Sequence, residues 1–119
     1  VHYGISSVSA GGSVEPVEIN AGSWYLRALR ADDRVDDRPA LADLGETDPS
    51  YVPLCTRDWR DDRRYTWAVA EPTTGEMLAE VGLDPLSGTI TVRGRPGHTE
   101  AAQLAADAVR RFAAGALGL

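Results

Sequence analysis

Ten residues late in the chain bring together the ingredients of an anion site: Val92-Arg93-Gly94-Arg95-Pro96-Gly97-His98-Thr99-Glu100-Ala101. They lie between a short β-type run and a long alanine-rich stretch with helical periodicity. A glycine-rich turn lets backbone N–H groups face a ligand, because no Cβ stands in the way. A helix start adds unsatisfied N–H groups and partial positive charge. Together these make a cradle for a phosphate or pyrophosphate, and it would draw on Val92, Arg93, Gly94, Arg95, Gly97, His98 and Thr99. From the residues alone, an ordinary strand–helix turn punctuated by Gly and Pro is the simpler account. His98 could contact a phosphate or act as a base, but a lone histidine at a helix start is more often an exposed turn residue.

Other candidates are few. Glu80 lies in a strand-like run and could deprotonate an amine; a paired or solvent-facing strand carboxylate is the simpler role. Trp24, Trp59, Trp67 and Phe112 could line a ligand pocket, but aromatic residues at such spacing usually pack the core. Cys55, the one cysteine, has no histidine near it in sequence and reads as a small buried residue. The run Asp58, Arg60, Asp61, Asp62, Arg63, Arg64 mixes both signs and reads as a solvated helix end. No residue is assigned a catalytic role.

Composition narrows the function classes. With 119 residues the chain makes one domain at most. Its net charge of −6 argues against nucleic acid and anionic membranes as partners. All 12 basic residues are arginine, so no lysine is available to form a Schiff base or to bind phosphate in a P-loop. One cysteine and two histidines are too few for an ordinary zinc site, and no metal is expected. No apolar run approaches the roughly 20 residues of a membrane span. Nor does the start read as a secretory signal, and the expected location is cytoplasmic.

The elements that must position these residues can be read in order. Residues 1–21 are rich in Ser and Gly and read as a flexible N-terminal leader; residues 22–119 form the domain. Trp24–Arg30 alternates as a first strand. Ala31–Gly45 suggests a helix with Asp32 or Asp33 as N-cap and Gly45 at C′, with Pro39 kinking it or starting a second helical turn. Tyr51–Asp62 reads as a short helix with Val52, Cys55 and Trp59 on one face. Arg64–Glu71 and Glu76–Leu83 make an antiparallel hairpin around Pro72-Thr73-Thr74-Gly75. Thr89–Val92 is a fourth strand. A last helix starts near Thr99, with Ala101, Leu104, Ala105, Ala108, Val109, Phe112 and Ala116 on one apolar face. The reading is α/β of the α+β type, β-α-α-β-β-β-α, with a mainly antiparallel four-stranded sheet.

Three segments in this order carry a family resemblance. They are Tyr25-Leu26-Arg27-Ala28-Leu29-Arg30-Ala31-Asp32-Asp33, the hairpin from Trp67 to Leu83, and Arg93-Gly94-Arg95 through Thr99-Glu100-Ala101 into Phe112–Leu119. Together they resemble the GNAT-type N-acetyltransferases, in the subgroup common in actinobacteria. The resemblance implies a partial GNAT-like fold, acetyl-CoA as acyl donor, an unknown amine as acceptor, and CoA pyrophosphate held by backbone N–H groups of the Val92–Thr99 stretch. Thr99 stands where the family pattern has Gly or Ala, and Pro96 removes one N–H donor. The family continues past this helix with further strands. The resemblance therefore implies a fragment that keeps the cofactor-binding half; the alternative is a non-catalytic remnant that serves as a binding or dimerisation module. In either case the open edge of the fourth strand is expected to favour homo-oligomers.

Overall fold

The computed structural model describes residues 16–119. Five strands and three helices follow one another as β1 (Ile19–Ala21), β2 (Trp24–Arg27), α1 (Arg38–Asp43), α2 (Tyr51–Arg60), β3 (Tyr65–Ala70), β4 (Met77–Leu83), β5 (Ile90–Gly94) and α3 (Thr99–Leu117). The strands form one sheet in the order β1-β2-β3-β4-β5, and every neighbouring pair is antiparallel. The sheet is thus a meander of five strands where the sequence suggested four.

The added strand is Ile19–Ala21, at the end of the stretch read as a leader. It pairs with Trp24–Leu26 across the tight Gly22-Ser23 turn, where Gly22 takes φ +65°. Ala21 is buried and Ile19 packs on the core. Three residues are too short a run to show a period of two, which is why alternation does not reveal it. The rest of the expected leader, residues 1–15, lies outside the described residues.

The expected helix over Ala31–Gly45 shrinks to Arg38–Asp43. Asp32 turns its carboxylate onto the N–H groups of Arg34 and Val35, both at 2.9 Å. Short acidic side chains that bond neighbouring N–H groups compete with helix formation in this way. Pro39 then stands in the first helical turn, where its missing N–H costs nothing. Gly45 ends the helix as read: at φ +90° it donates to the Ala42 carbonyl, while Glu46 donates to Leu41.

Alternation along the central strands separates two apolar layers. Trp67, Val69, Ala79, Val81 and Leu83 face α3 through Ala101, Ala105, Ala108 and Val109. On the other face, Ala68 packs with Leu41, Val52 and Cys55 of α1 and α2, joined by Met77, which lies beyond a register shift at Val69/Ala70 and so breaks the alternation. β2 pairs only with Ala68–Ala70, so the first half of β3 is open on that side. Trp59 fills the gap. Its indole N–H donates to the Thr66 carbonyl at 2.9 Å, and its ring stacks on Tyr65 with centroids 4.6 Å apart. The tryptophans and Phe112 therefore serve as core.

Candidate functional site

The fourth strand expected at Thr89–Val92 runs two residues further, to Gly94. Val92, Arg93 and Gly94 pair with Val81, Glu80 and Ala79, so they belong to the sheet and not to the turn. Gly94 has its own reason to be glycine: a Cβ there would lie 3.2 Å from the Ala102 Cβ, because α3 crosses β5 closely at that point. The turn itself is Arg95-Pro96-Gly97-His98. The His98 N–H donates to the Arg95 carbonyl at 3.0 Å, and Gly97 sits at φ +86°. Proline at the second position and a left-handed glycine at the third make a type II turn.

This turn delivers the chain into α3 with donors to spare. Arg95 N–H is bound to the Leu78 carbonyl, and Ala102 N–H makes the first helical bond, to His98. The N–H groups of Gly97, Thr99, Glu100 and Ala101 donate to no group among the described residues. The half-buried His98 is the N-cap residue, yet its side chain makes no capping bond. A 19-residue helix therefore begins with its positive end uncapped beside a glycine turn.

The two arginines of the stretch point elsewhere. Arg95 reaches across to Glu76 at 2.9 Å, Asp43 at 2.8 Å and the Met77 carbonyl at 3.1 Å, tying the turn to α1 and to the β3–β4 connection. Arg93 lies on the α2 face, directly across from Glu80. Of the residues expected to share a site, Gly97, His98 and Thr99 gather at the turn. Val92 and Gly94 stay in the strand, and both guanidinium groups are engaged with carboxylates.

Sequence reasoning missed what surrounds Arg93. Glu80 is 2% exposed and fully engaged. One oxygen accepts from Arg93 Nε and Nη2 at 2.9 and 2.8 Å, and the other accepts the Tyr51 hydroxyl proton. The Tyr51 oxygen accepts in turn from Arg64 Nη1 and Arg93 Nη2, both at 3.3 Å. Glu80 is thus a paired strand carboxylate, with no lone pair aimed at open space. The signal for this cluster was Gly82. A glycine inside an otherwise regular strand marks a close approach, and here the Arg64 guanidinium lies across it. Among the described residues, no three His, Cys, Asp or Glu side chains gather as a metal site. No described helix is long and apolar enough to cross a membrane.

The order of elements, the antiparallel sheet and the turn leading into a long helix match a solved structure. That structure is a Vibrio cholerae protein named for a proposed ribosomal-protein-serine acetyltransferase activity. It superposes with a TM-score of 0.73 at 14% sequence identity, covering 89% of this chain and 72% of that one. The chain shares the fold of that acetyltransferase structure, in keeping with the partial GNAT-like fold expected from the sequence. No family model and no curated protein matches the sequence. In this acetyltransferase fold, β5 carries the donor-rich turn at one end and Thr91, which accepts from Arg64, near the other. The two are separated by about 13 Å of extended strand.

The fold also draws two phenols inward, Tyr51 in part and Tyr65 fully. Burial, and then the hydrogen bond to the Glu80 carboxylate, raise the pKa of Tyr51 above the usual 10.0. Burial and the Asp62 carboxylate do the same for Tyr65. A folded-state pKa above the unfolded value means that the neutral phenols contribute in full below pH 10, and that this contribution is lost as pH rises through and beyond it. Stability should therefore fall at alkaline pH, and phenolate absorbance from these two should appear only together with unfolding. Tyr51→Phe should flatten the alkaline stability curve. Ionisation of both phenols near pH 10 in the folded protein would show that they are not sequestered.

Proposed function

We propose that the chain binds acetyl-CoA along β5 and transfers the acetyl group to an amine acceptor. The observation that carries this reading is the set of unpartnered N–H groups of Gly97, Thr99, Glu100 and Ala101, presented by a left-handed glycine at the start of a long helix. That is the arrangement a pyrophosphate needs, and the likeness to an acetyltransferase structure supports CoA as its owner. Backbone donors at Gly97, Thr99, Glu100 and Ala101 would hold the phosphates, with the His98 N–H kept by the Arg95 carbonyl; Val92, Arg93 and Gly94 form the strand along which the acyl arm would lie. Arg95 joins the phosphates only by leaving Glu76 and Asp43, carboxylates that are themselves more than half exposed. Such exposed pairs are worth about 0–1 kcal/mol, whereas arginine to phosphate is charge-assisted and frequently bidentate.

In the transfer, the amine nitrogen would form the new bond to the thioester carbonyl carbon, the carbon–sulfur bond would break, and the proton shed by the amine would pass through solvent to the departing thiolate, leaving an amide and a free thiol. The chain's part is to hold both reactants in attack geometry. The cytoplasm is the compartment that suits this reading, with no nucleic acid or membrane as partner.

A second reading rests on a specific observation. Glu80 and Tyr51, the buried acid and phenol beside β5, are bound to each other and to arginine, and β5 pairs only with β4 among the described residues. A non-catalytic module that dimerises through the outer edge of β5 would use the same features.

Isothermal titration with acetyl-CoA and CoA, light scattering and an amine acetylation assay separate the two. Saturable CoA binding with acetyl transfer is expected. CoA binding or dimerisation without any transfer would move the assignment to the second reading, and a chain that neither binds CoA nor self-associates would overturn both.

A further inference from the structure

Arginines drawn into the protein surface here hold carboxylates, with one exception. Arg27 pairs with Asp37, Arg93 with Glu80 and Glu46, and Arg95 with Glu76 and Asp43. The half-buried Arg64 pairs with no carboxylate among the described residues. Its partners are all neutral oxygens. Nη1 donates to Tyr51 Oη at 3.3 Å and Thr66 Oγ1 at 3.0 Å, and Nη2 donates to Thr91 Oγ1 at 3.1 Å. A guanidinium has five N–H groups. The Nε–H and one Nη2–H carry no partner among the described residues, and a guanidinium with N–H groups to spare can receive a carboxylate.

The position is built. A Cβ on Gly82 would come within 2.1 Å of Arg64 Nη2, 2.6 Å of Cζ and 2.9 Å of Nε, so the guanidinium occupies the space that any side chain at position 82 would need. Three acceptors from α2, β3 and β5 fix its rotation. Thr91 is exposed, so the head opens to solvent at the free strand. The nearest buried carboxylate on that face, Glu80, is already taken up by Arg93. A planar cation held rigid by neutral groups, with two N–H groups left over, is prepared for an anion that arrives from outside.

We propose that Arg64 is a carboxylate-binding residue that reads the acidic group of the acceptor. The acceptor is then an amine that also bears a carboxylate, as an amino acid does. The link to an acceptor rests on the acyl-transfer reading; the carboxylate site does not. Arg64 and the α3 turn flank the same strand, so an acceptor anchored at Arg64 would present its amine toward a thioester lying along β5.

The test uses the full 15N-labelled chain without CoA and follows arginine Nε–Hε resonances by NMR. N-acetylglycine and its uncharged analogue N-acetylglycinamide are titrated, and the Arg64 resonance is assigned as the one lost in Arg64→Lys. A saturable shift of that resonance with the acid, at least about tenfold weaker with the amide, is expected. No shift with either compound, or equal shifts with both, overturns the proposal. The comparison of acid with amide is made on the unsubstituted chain, so it does not depend on a variant folding. CoA binding with no Arg64 response would remove this inference and leave the acyl-transfer reading standing; an Arg64 response without CoA binding would do the reverse.

Discussion

Asp37→Ala is expected to cost about 3–5 kcal/mol of folding stability, the range for removing one partner of a buried ion pair. Asp37 is 2% exposed and its carboxylate is saturated. It accepts from both Arg27 terminal nitrogens, at 2.8 and 2.9 Å, and from the Arg30 N–H at 2.7 Å. Arg27 is 4% exposed and also donates to the Gly75 carbonyl at 2.9 Å, in the β3–β4 turn. The pair therefore clasps three things together: the end of β2, the loop before α1 and the hairpin turn. Alanine would leave a guanidinium buried with two carbonyl partners and no counter-charge. For a domain whose total stability is about 5–15 kcal/mol, such a loss leaves little margin. Urea unfolding of the two proteins measures it. A double replacement, Arg27→Met with Asp37→Leu, should recover much of the loss, since an apolar pair needs no charge balance. A loss below about 1 kcal/mol in Asp37→Ala would mean that water reaches the pair and that the clasp is not buried in solution.

Gly97→Val should weaken acetyl-CoA binding by about tenfold or more, the equivalent of about 1.4 kcal/mol. Space is not the obstacle, for no atom lies within 4 Å of where the Cβ would stand. The backbone is. Gly97 holds φ +86°, a region that costs a β-branched residue about 1–3 kcal/mol. Valine relaxes that strain by reshaping the turn, which moves the Gly97 and Thr99 N–H groups off a common target. It also puts a branched side chain where a phosphate would approach the backbone. The turn is exposed, so the global unfolding midpoint should move far less than the binding constant. Titration calorimetry beside thermal unfolding separates the two effects. Unchanged affinity for acetyl-CoA in a folded Gly97→Val protein would take the turn out of the binding site.

Periodicity carried the sheet and the last helix because both are long enough to repeat. The hairpin strands run for six and seven residues around a clear turn signal, and α3 keeps one apolar face over 19. It failed where a few polar groups decide the backbone. Asp32 and Asp37 bend residues 31–37 around their own carboxylates, and composition gives no sign of which N–H each will choose. It failed again at the end of β5. Gly94 looks like the start of a turn, yet it serves as a gap for Ala102. The glycine turn at 95–98 and the helix start behind it were legible. That Arg93 would turn back to Glu80 was not, because the pairing depends on the register between two strands that brings together residues 13 apart in sequence. Arg64 was the least legible of all, since a mixed-charge run says nothing of which member leaves it to cross a strand.

Helix α3 touches all five strands, while each strand pairs only with its neighbours in sequence. On a chain made from its N-terminus, this divides assembly into two unequal stages. Hairpins can zip one after another as they emerge, since each needs only a partner already made. Among the described residues, their apolar face, with Trp67, Val69 and Val81, is covered by α3, which is made after all five strands. The turn that would hold an anion lies at the hinge between those stages. A ligand bound there would therefore engage only chains in which the five strands are made and α3 has begun to close over them.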